Sequence, residues 1–461
     1  MSAKAPAGTF LGHPNGLFLL FATEAFERFS YYGMRALLVL TLVTGIHEVN
    51  PGFGWTNKEA LSLYGTYTAF VYLTPLFGGW LADNFIGQRK SIIIGGIIMA
   101  IGQFLLAAAL PGNLNMFYAG LVCLIIGNGF FKPNISTMVG DLYREGDSRR
   151  DIAFTIFYMG INVGALSPLV CSPLGEKHAW SYGYFAAGCG MLLSVAIQML
   201  FANKLLGDIG VQPSAKRAKA DANAKHAPLT KVEKDRMKVI FMLFVFIVLF
   251  WASFEQAGGL MNLYAFQKTN RFLTSTYEVP AGLFQIINPI FIICLAPVFA
   301  GIWGWLNGHG KNPATPVKMI FGLLLTAVGF LFMIGAVFDQ QAHGKASMMW
   351  LVMAYLFHTM GELCISPVGL SMVTKLSPPR LASVMMGVWF LINFVANWLA
   401  GKVGSMADSL GELTIFGGLA VVLAVFSVVL WLVSGRLVAW IHGAEDAKPV
   451  PAEPQLTEKA A

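Results

Sequence analysis

The chain has 461 residues, of which 56% are hydrophobic and 12% are charged, and its mean hydropathy is +0.63. Soluble domains carry about 25% charged residues, so this composition excludes an ordinary soluble protein and indicates a polytopic membrane protein. The net charge of +7 lies mostly in loops, which we interpret as a topology signal rather than a nucleic-acid-binding patch. The five cysteines lack metal-binding spacing, and we expect neither a disulfide framework nor a metal site.

Twelve segments are long and apolar enough to cross a bilayer core, which takes about 20 mostly apolar residues. We number these segments as spans 1 to 12 in chain order. They lie at 16–45, 58–83, 90–110, 114–141, 150–174, 181–204, 238–264, 280–306, 315–338, 347–374, 382–407 and 413–440.

A basic, alanine-rich stretch separates the first six spans from the last six, and we predict that it is a solvated linker. The loops after even-numbered spans carry most of the lysine and arginine, which places both termini in the cytoplasm. This layout is that of the major facilitator fold, an all-α membrane architecture with its substrate site near the midplane between the two halves. The predicted parts are an N-terminal cytoplasmic segment (1–15), an N-terminal six-helix bundle (16–204), a basic cytoplasmic linker (205–237), a C-terminal six-helix bundle (238–440) and a polar cytoplasmic tail (441–461).

Span 1 carries four ionisable residues where a membrane helix is expected to have none. Glu24, Arg28, Tyr31 and Arg35 fall on one helix face, and Glu27 lies beside Arg28. Charges inside a bilayer are costly and are usually functional. One alternative is that the two acids and Arg28 form a self-neutralising cluster that only joins helices. That alternative does not explain Arg35, which has no carboxylate one turn away.

Further polar residues follow in the N-terminal half. Lys132 lies near the middle of span 4, where its ammonium requires a carboxylate unless it reaches an interface. Tyr158 and Asn162 share one face of span 5, either to contact a ligand or to bridge helices. In span 2 the phenols of Tyr67 and Tyr72 are candidates for a cavity.

Tyr64, also in span 2, is interpreted as part of an interfacial tyrosine belt.

The spans of the C-terminal half also contain few charged residues. Its polar and aromatic candidates come in pairs within one turn of each other: Trp251 with Glu255, Gln285 with Asn288, Glu362 with Ser366, and Trp389 with Asn393. The buried charges of the N-terminal half sum to a net positive value, whereas Glu255 and Glu362 make the other half negative. This asymmetry indicates a ligand with two opposite charges, its carboxylate near Arg35 and Lys132 and its ammonium near Glu362. The aromatic side chains then form pockets that accept different side chains of the ligand.

Six motifs in chain order resemble those of the proton-dependent oligopeptide transporter family, a branch of the major facilitator superfamily. They are E-x-x-E-R-F-x-Y-Y-G from Glu24, F-F-K-P-N around Lys132, F-Y-x-x-I-N ending at Asn162, F-W-x-x-F-E-Q around Glu255, F-Q-x-x-N-P ending at Pro289 and E-x-x-x-S-P-V-G from Glu362. The resemblance implies proton-driven import of di- and tripeptides. It implies that Arg35 and Lys132 face the peptide carboxylate and that Glu362, with Asn162 and Asn288, receives the amino terminus. It also ties Glu24, Glu27 and Arg28 to proton coupling.

The chain departs from its relatives at two places. The linker is too short and polar for the extra pair of helices that many bacterial members carry, so a 12-helix member is expected. Animal members have a histidine after the tyrosine that matches Tyr67, whereas this chain has Thr68, so carboxylates must carry the protons.

These observations give a symporter hypothesis with assigned residues. Proton coupling is assigned to Glu24, Glu27, Arg28 and Glu255, and the gates to the pairs Lys132–Glu362 and Arg35–Glu255. Substrate contacts are assigned to Tyr31, Tyr32, Arg35, Tyr67, Tyr72, Lys132, Tyr158, Asn162, Trp251, Gln285, Asn288, Glu362, Ser366, Trp389 and Asn393. We expect a monomer in the inner (plasma) membrane that binds peptides, protons and lipid but no nucleic acid.

Because the proton gradient drives the process, no cofactor is expected, and no motif indicates an enzyme. The alternative on the same fold is a proton-coupled carrier of nitrate, drugs or other organic anions, although the acidic C-terminal half argues against a simple anion. A receptor that senses a nutrient without moving it is the other class considered.

Overall fold

The computed structural model describes residues 8–144, 147, 149–213, 229–378 and 381–443. Nearly half of the predicted linker, at 214–228, and the tail from 444 onward lie outside the described residues, as does the segment 1–7. In the described ranges the α-helices are α1 (Asn15–Val43), α2 (Asn57–Leu81), α3 (Gln88–Ala108), α4 (Leu114–Asp141), α5 (Arg149–Gly164), α6 (Pro168–Lys177), α7 (Trp180–Leu205), α8 (Lys231–Phe254), α9 (Leu260–Lys268), α10 (Ile287–Gly308), α11 (Thr315–His343), α12 (Met348–Leu376), α13 (Ala382–Ser405), α14 (Ala407–Leu410) and α15 (Glu412–Ile441).

Among the described residues these helices make up twelve segments, one for each predicted span. Span 5 consists of α5 and α6, span 7 of α8 and α9, and span 11 of α13 and α14. The ten segments from α3 onward are long and apolar enough to cross a membrane by length and composition. Helices α1 and α2 are not among these ten segments; α1 carries the charges named above, and α2 is rich in tyrosine and threonine.

The breaks within spans place functional side chains at helix ends. A 3₁₀ turn at Glu255–Ala257 separates α8 from α9, so Glu255 stands where the helix is interrupted. Another 3₁₀ turn, at Ala281–Ile286, leads into α10. In span 5, Pro168 starts α6 directly after the end of α5. Irregular backbone at membrane depth is tolerated where it is buried in protein or lines a cavity.

Each half of the chain forms a helical bundle. In the first, α1 packs on α5 and α7, while α3 packs on α4 and α7. In the second, α11 packs on α12 and α15, while α8 packs on α13 and α15. Between the bundles α2 lies along α13, where Gly65 and Gly401 bring the two backbones together. Small residues permit this close approach of membrane helices.

The bundles also meet at the end of the molecule where α1 finishes and α2 begins, which we call the outer end. There the amide of Asn262 in α9 donates to the carbonyl of Ala36 in α1 at 2.9 Å. The side chains of Asn57 and Gln267 exchange hydrogen bonds of 3.1 and 3.0 Å. The structure is therefore closed at the outer end.

Two predicted boundaries differ from the structure. Helix α8 starts at Lys231, seven residues inside the predicted linker, because Thr230 and Glu233 form a capping box ahead of a charged first turn that hydropathy does not detect. The predicted N-terminal segment contains a short antiparallel hairpin, Thr9–Phe10 with His13–Pro14. A second strand pair, Thr269–Asn270 with Ala346–Ser347, is parallel. These few strand residues modify an otherwise helical fold.

Candidate functional site

A cavity of about 330 Å³ lies between the two bundles, at the depth of the helix breaks. Spans 1, 2, 4 and 5 line it on one side, and spans 7, 8, 10 and 11 line it on the other. Its lining residues are Tyr32, Arg35, Tyr72, Lys132, Tyr158, Ile161, Asn162, Ala165, Trp251, Phe254, Glu255, Ala257, Gln285, Asn288, Pro289, Ile292, Tyr355, Glu362, Ser366, Trp389, Phe390 and Asn393. The site therefore combines both signs of charge with amides and aromatic walls.

Arg35 of the first bundle forms an ion pair with Glu255 of the second, and both side chains are about nine-tenths buried. The Nε of Arg35 also donates to the phenol oxygen of Tyr64 at 2.6 Å. Tyr64 is only 1% exposed, so its interpretation as an interfacial belt residue is wrong. Its phenol is an acceptor for the arginine that joins the bundles.

The charged cluster of α1 lies outside the cavity lining, within the first bundle. Arg28 pairs with Glu27 and, through Nε, with Oε1 of Glu24 at 3.0 Å. All three side chains are almost completely buried. One oxygen of each acid and one guanidinium nitrogen have no hydrogen-bond partner among the described residues. The cluster is compact but incompletely satisfied, and a change of protonation there alters the balance of buried charge.

Lys132 lines the cavity without a carboxylate close to it. Its ammonium lies 4.7 Å from the ring centroid of Tyr72. Within the described part of the chain, no ion pair of 4.0 Å or less includes Lys132, so the predicted Lys132–Glu362 pair is not formed in this structure.

Glu362 accepts a hydrogen bond from an amide of its own bundle. The Nδ2 of Asn288 donates to Oε2 of Glu362 at 2.8 Å and to Thr359 at 3.0 Å. Gln285, one turn earlier, donates to the carbonyl of Ala257 at 2.7 Å and to the phenol of Tyr355 at 3.0 Å. These bonds fix the break at span 7 relative to spans 8 and 10, and they leave Glu362 facing the cavity.

Aromatic rings form the walls between the charged groups. Trp251 packs edge-on against Phe254 at a centroid distance of 5.3 Å, and its indole nitrogen has no hydrogen-bond partner among the described residues. Trp389 packs against Phe244 behind the cavity. The walls supply apolar area at several points around the charged centre.

Most of the predicted contact residues come together in this cavity, but two do not. Tyr31 and Tyr67 are buried in the core of the first bundle and are not among the cavity-lining residues. Tyr31 faces Arg28, which lies 5.3 Å from its ring centroid. The substrate-contact assignments of these two tyrosines are therefore not supported by the cavity.

Several lining residues were missed by the sequence reasoning. Tyr355 lies seven residues before Glu362, hence on the same helix face, and Phe254 lies three residues after Trp251. Helical spacing from the charged residues already identified would have found both. His358, in contrast, packs on Phe330 with 4.6 Å between the ring centroids, and it lies outside the cavity lining.

Comparison with known proteins gives consistent similarities along the chain. The model of the POT family matches residues 89–208 and 209–416. An uncharacterized transporter of Bacillus subtilis, YclF, is 36% identical, with 94% of this chain and 96% of that protein covered. A di-/tripeptide transporter of Lactococcus lactis is 32% identical over 92% of this chain and 96% of its own length. The crystal structure of a peptide transporter POT in complex with sulfate superposes with a TM-score of 0.86 at 32% identity, covering 95% of this chain and 97% of that one.

Proposed function

This chain belongs to the POT family, and we propose that it is a proton-coupled symporter that imports di- and tripeptides by alternating access. The relatives named for peptide transport match over nearly the whole chain. The observation that carries the proposal is the cavity itself. It offers a cation, Lys132, and a carboxylate, Glu362, from opposite bundles, and neither is paired with an opposite charge within the cavity.

A short peptide fits this arrangement of charges through its two termini. Its carboxylate binds Lys132 and, when the outer pair opens, Arg35. Its ammonium binds Glu362, with Asn162 and Asn288 as hydrogen-bonding neighbours. The aromatic walls, which include Trp251 and Trp389, then receive the side chains without selecting a single one.

The buried acids are the groups that bind the coupled protons in this proposal. Glu24 and Glu27 neutralise Arg28, and Glu255 neutralises Arg35. Protonation of an acid removes one member of such a pair and leaves its cation in need of another anion. For Arg35, which lines the cavity, the carboxylate of the peptide supplies that anion, and this couples peptide binding to proton binding.

Alternating access follows from two sets of bundle contacts. In this structure the Arg35–Glu255 pair is formed between the bundles, which supports its proposed role as the outer gate. In the opposite state we propose that this pair opens and that Lys132 approaches Glu362 once the site is empty. The chain is a multi-pass membrane protein, and we propose that it works as a monomer in the plasma membrane with both termini in the cytoplasm. That orientation makes the outer end extracellular.

The proposal is tested by uptake of a labelled dipeptide into liposomes that contain the purified protein, with and without an inward proton gradient. We expect gradient-dependent uptake that unlabelled di- and tripeptides inhibit and that tetrapeptides, free amino acids and nitrate do not. Absence of uptake by demonstrably folded protein would reject the proposal. Inhibition by nitrate alone would instead support the alternative, a carrier of nitrate, drugs or other organic anions.

A further inference from the structure

A second charged contact joins the two bundles at the outer end, away from Arg35. Glu176, at the end of α6, is buried, with its side chain 6% exposed. Its Oε2 accepts a hydrogen bond from the backbone N–H of Ala281 at 2.6 Å, and its Oε1 accepts one from Gly282 at 2.8 Å. A carboxylate of the first bundle thus binds two backbone donors of the second. Hydrogen bonds to an ionised acceptor are about twice as strong as neutral ones.

An arginine of the second bundle completes this contact. Nη1 of Arg271 lies 3.6 Å from Oε2 of Glu176 and donates to the carbonyl of Val279 at 2.6 Å. Nη2 of the same arginine pairs with Glu278 at 2.8 Å, and Glu278 is 41% exposed. Glu176 is therefore the buried acid of the cluster, whereas Glu278 lies at its surface.

The backbones fit closely where the carboxylate binds. A Cβ atom added to Gly282 would overlap the hydroxyl of Ser172, which lies one turn before Glu176. Glycine at 282 thus lets the turn Ala281–Ile286 lie directly on α6. The charged contact and the steric fit are two independent features of one interface.

This interface connects the walls of the cavity. Helix α6 continues α5, which carries Tyr158 and Asn162. The turn Ala281–Ile286 carries Gln285 and leads to Asn288. Access from the outer end requires spans 5 and 8 to separate, and the bonds of Glu176 must break when they do. Separation leaves the two buried N–H groups without acceptors, and this raises the free energy of the state in which spans 5 and 8 are apart.

We propose that Glu176 is a positioning residue of the transport cycle, a latch that holds spans 5 and 8 together at the outer end independently of the Arg35–Glu255 pair. The proposal rests on the alternating access described above. The latch stabilises the state that is closed to the outside, and its release accompanies outward opening.

The test measures conformation rather than transport, so its result does not depend on peptide or proton. Spin labels are attached at Asn115→Cys in α4 and Lys345→Cys before α12, two exposed outer positions in opposite bundles, after replacement of the native cysteines. Double electron–electron resonance then gives the distance distribution in liposomes. In Glu176→Gln we expect the ratio of long to short distances to rise about tenfold. The reason is that glutamine has a single, uncharged acceptor oxygen, whereas each of the two charged oxygens of the glutamate accepts from one N–H group.

Glu278→Gln is the matched control, because it removes a carboxylate from the same arginine but leaves both backbone bonds intact. Its distribution is expected to match that of the parent. An unchanged distribution in folded Glu176→Gln, or an equal shift in Glu278→Gln, would overturn the proposal.

A second variant tests the same interface without altering charge. Gly282→Ala inserts a methyl group against Ser172 and is expected to favour the long distances as well. Adding Ser172→Gly removes the overlapping atoms and is expected to restore the short distances. Failure of Gly282→Ala to shift the distribution would count against the latch, even if Glu176→Gln does not fold.

Discussion

The environment of Lys132 supports our proposal that the cavity binds the carboxylate of a peptide. Its ammonium faces the ring of Tyr72 rather than a carboxylate. A cation–π contact contributes about 2 kcal/mol when desolvated, whereas burying an ion costs several kcal/mol. The ammonium therefore gains from any carboxylate that enters the cavity. In the opposite bundle the amide of Asn288 donates to Glu362, and no cation of the described residues forms an ion pair with this acid.

Glu362→Gln tests which end of the peptide this acid binds. The change keeps an acceptor for Asn288 and removes the negative charge. We expect the affinity for a dipeptide with a free amino terminus to fall about tenfold, since a partly buried charge pair contributes about 1–2 kcal/mol. Competition against labelled dipeptide measures this loss.

The N-acetylated form of the same dipeptide is the control ligand for this experiment. It carries no ammonium, so its affinity is expected to differ little between Glu362→Gln and the parent. Equal losses for both ligands would mean that Glu362 supports the cavity without contacting the amino terminus.

Tyr64→Phe tests the phenol that accepts from Arg35 at 2.6 Å. Loss of one bond to a charged donor is expected to weaken outer closure by about 1.5–3 kcal/mol and to slow uptake roughly tenfold. Tyr67→Phe is the matched control, since Tyr67 is equally buried in the same helix but lies away from that bond. Uptake rates that fall equally in both variants would show that packing, rather than the bond to Arg35, is responsible.

At the scale of the helices, the pair α2–α13 depends on glycine. A side chain at Gly65 would meet the backbone of Gly401, which cannot move aside as a side chain can. We expect Gly65→Ala to destabilise the folded protein by about 1–3 kcal/mol, the usual cost of overpacking. Thermal unfolding in detergent measures the effect as a lower midpoint.

Gly418→Ala is the control for this glycine, because nothing lies near its missing Cβ in α15. There the change is expected to be neutral or to stabilise the helix slightly. A midpoint in Gly65→Ala that is no lower than in Gly418→Ala would contradict the close-packing argument.

The sequence predicted the twelve segments and their order because apolar length is a local property of the chain. It did not predict the start of α8, where a capping box rather than hydropathy begins the helix. Nor did it place Tyr64, because a tyrosine at a belt and a tyrosine bonded to a buried arginine look alike in a helical pattern. Which partner a side chain contacts depends on how neighbouring helices pack, and the pattern of a single helix does not contain that information.

At the scale of the whole molecule, the candidate site also contains features that the sequence predicted and features that it did not. Spacing identified the charged residues of the cavity, since membrane charges are rare enough to stand out. The contact of Glu176 with Ala281 and Gly282 was not identified, because it joins a side chain to backbone donors that no residue type marks. The Arg35–Glu255 pair was proposed as a gate, and the structure shows it formed.

Proton coupling belongs to the whole molecule, since it links a cluster within one bundle to motion of both. Glu24 contacts Arg28 at 3.0 Å but is not among the cavity-lining residues. Glu24→Gln keeps an acceptor oxygen for Arg28 and removes the exchangeable proton and the charge. We expect this variant to lose uptake driven by the proton gradient, because the charge at position 24 no longer changes when a proton binds.

Counterflow supplies the decisive comparison for this variant. Exchange of labelled for unlabelled peptide across the membrane requires the cavity and the two gates but no net proton movement. Glu24→Gln is therefore expected to retain exchange at a rate comparable to the parent while gradient-driven uptake is abolished. If exchange is lost together with uptake, the residue is needed for folding or gating and its coupling role is rejected. Exchange without gradient-driven uptake would assign the proton to the cluster of α1, outside the cavity that holds the peptide.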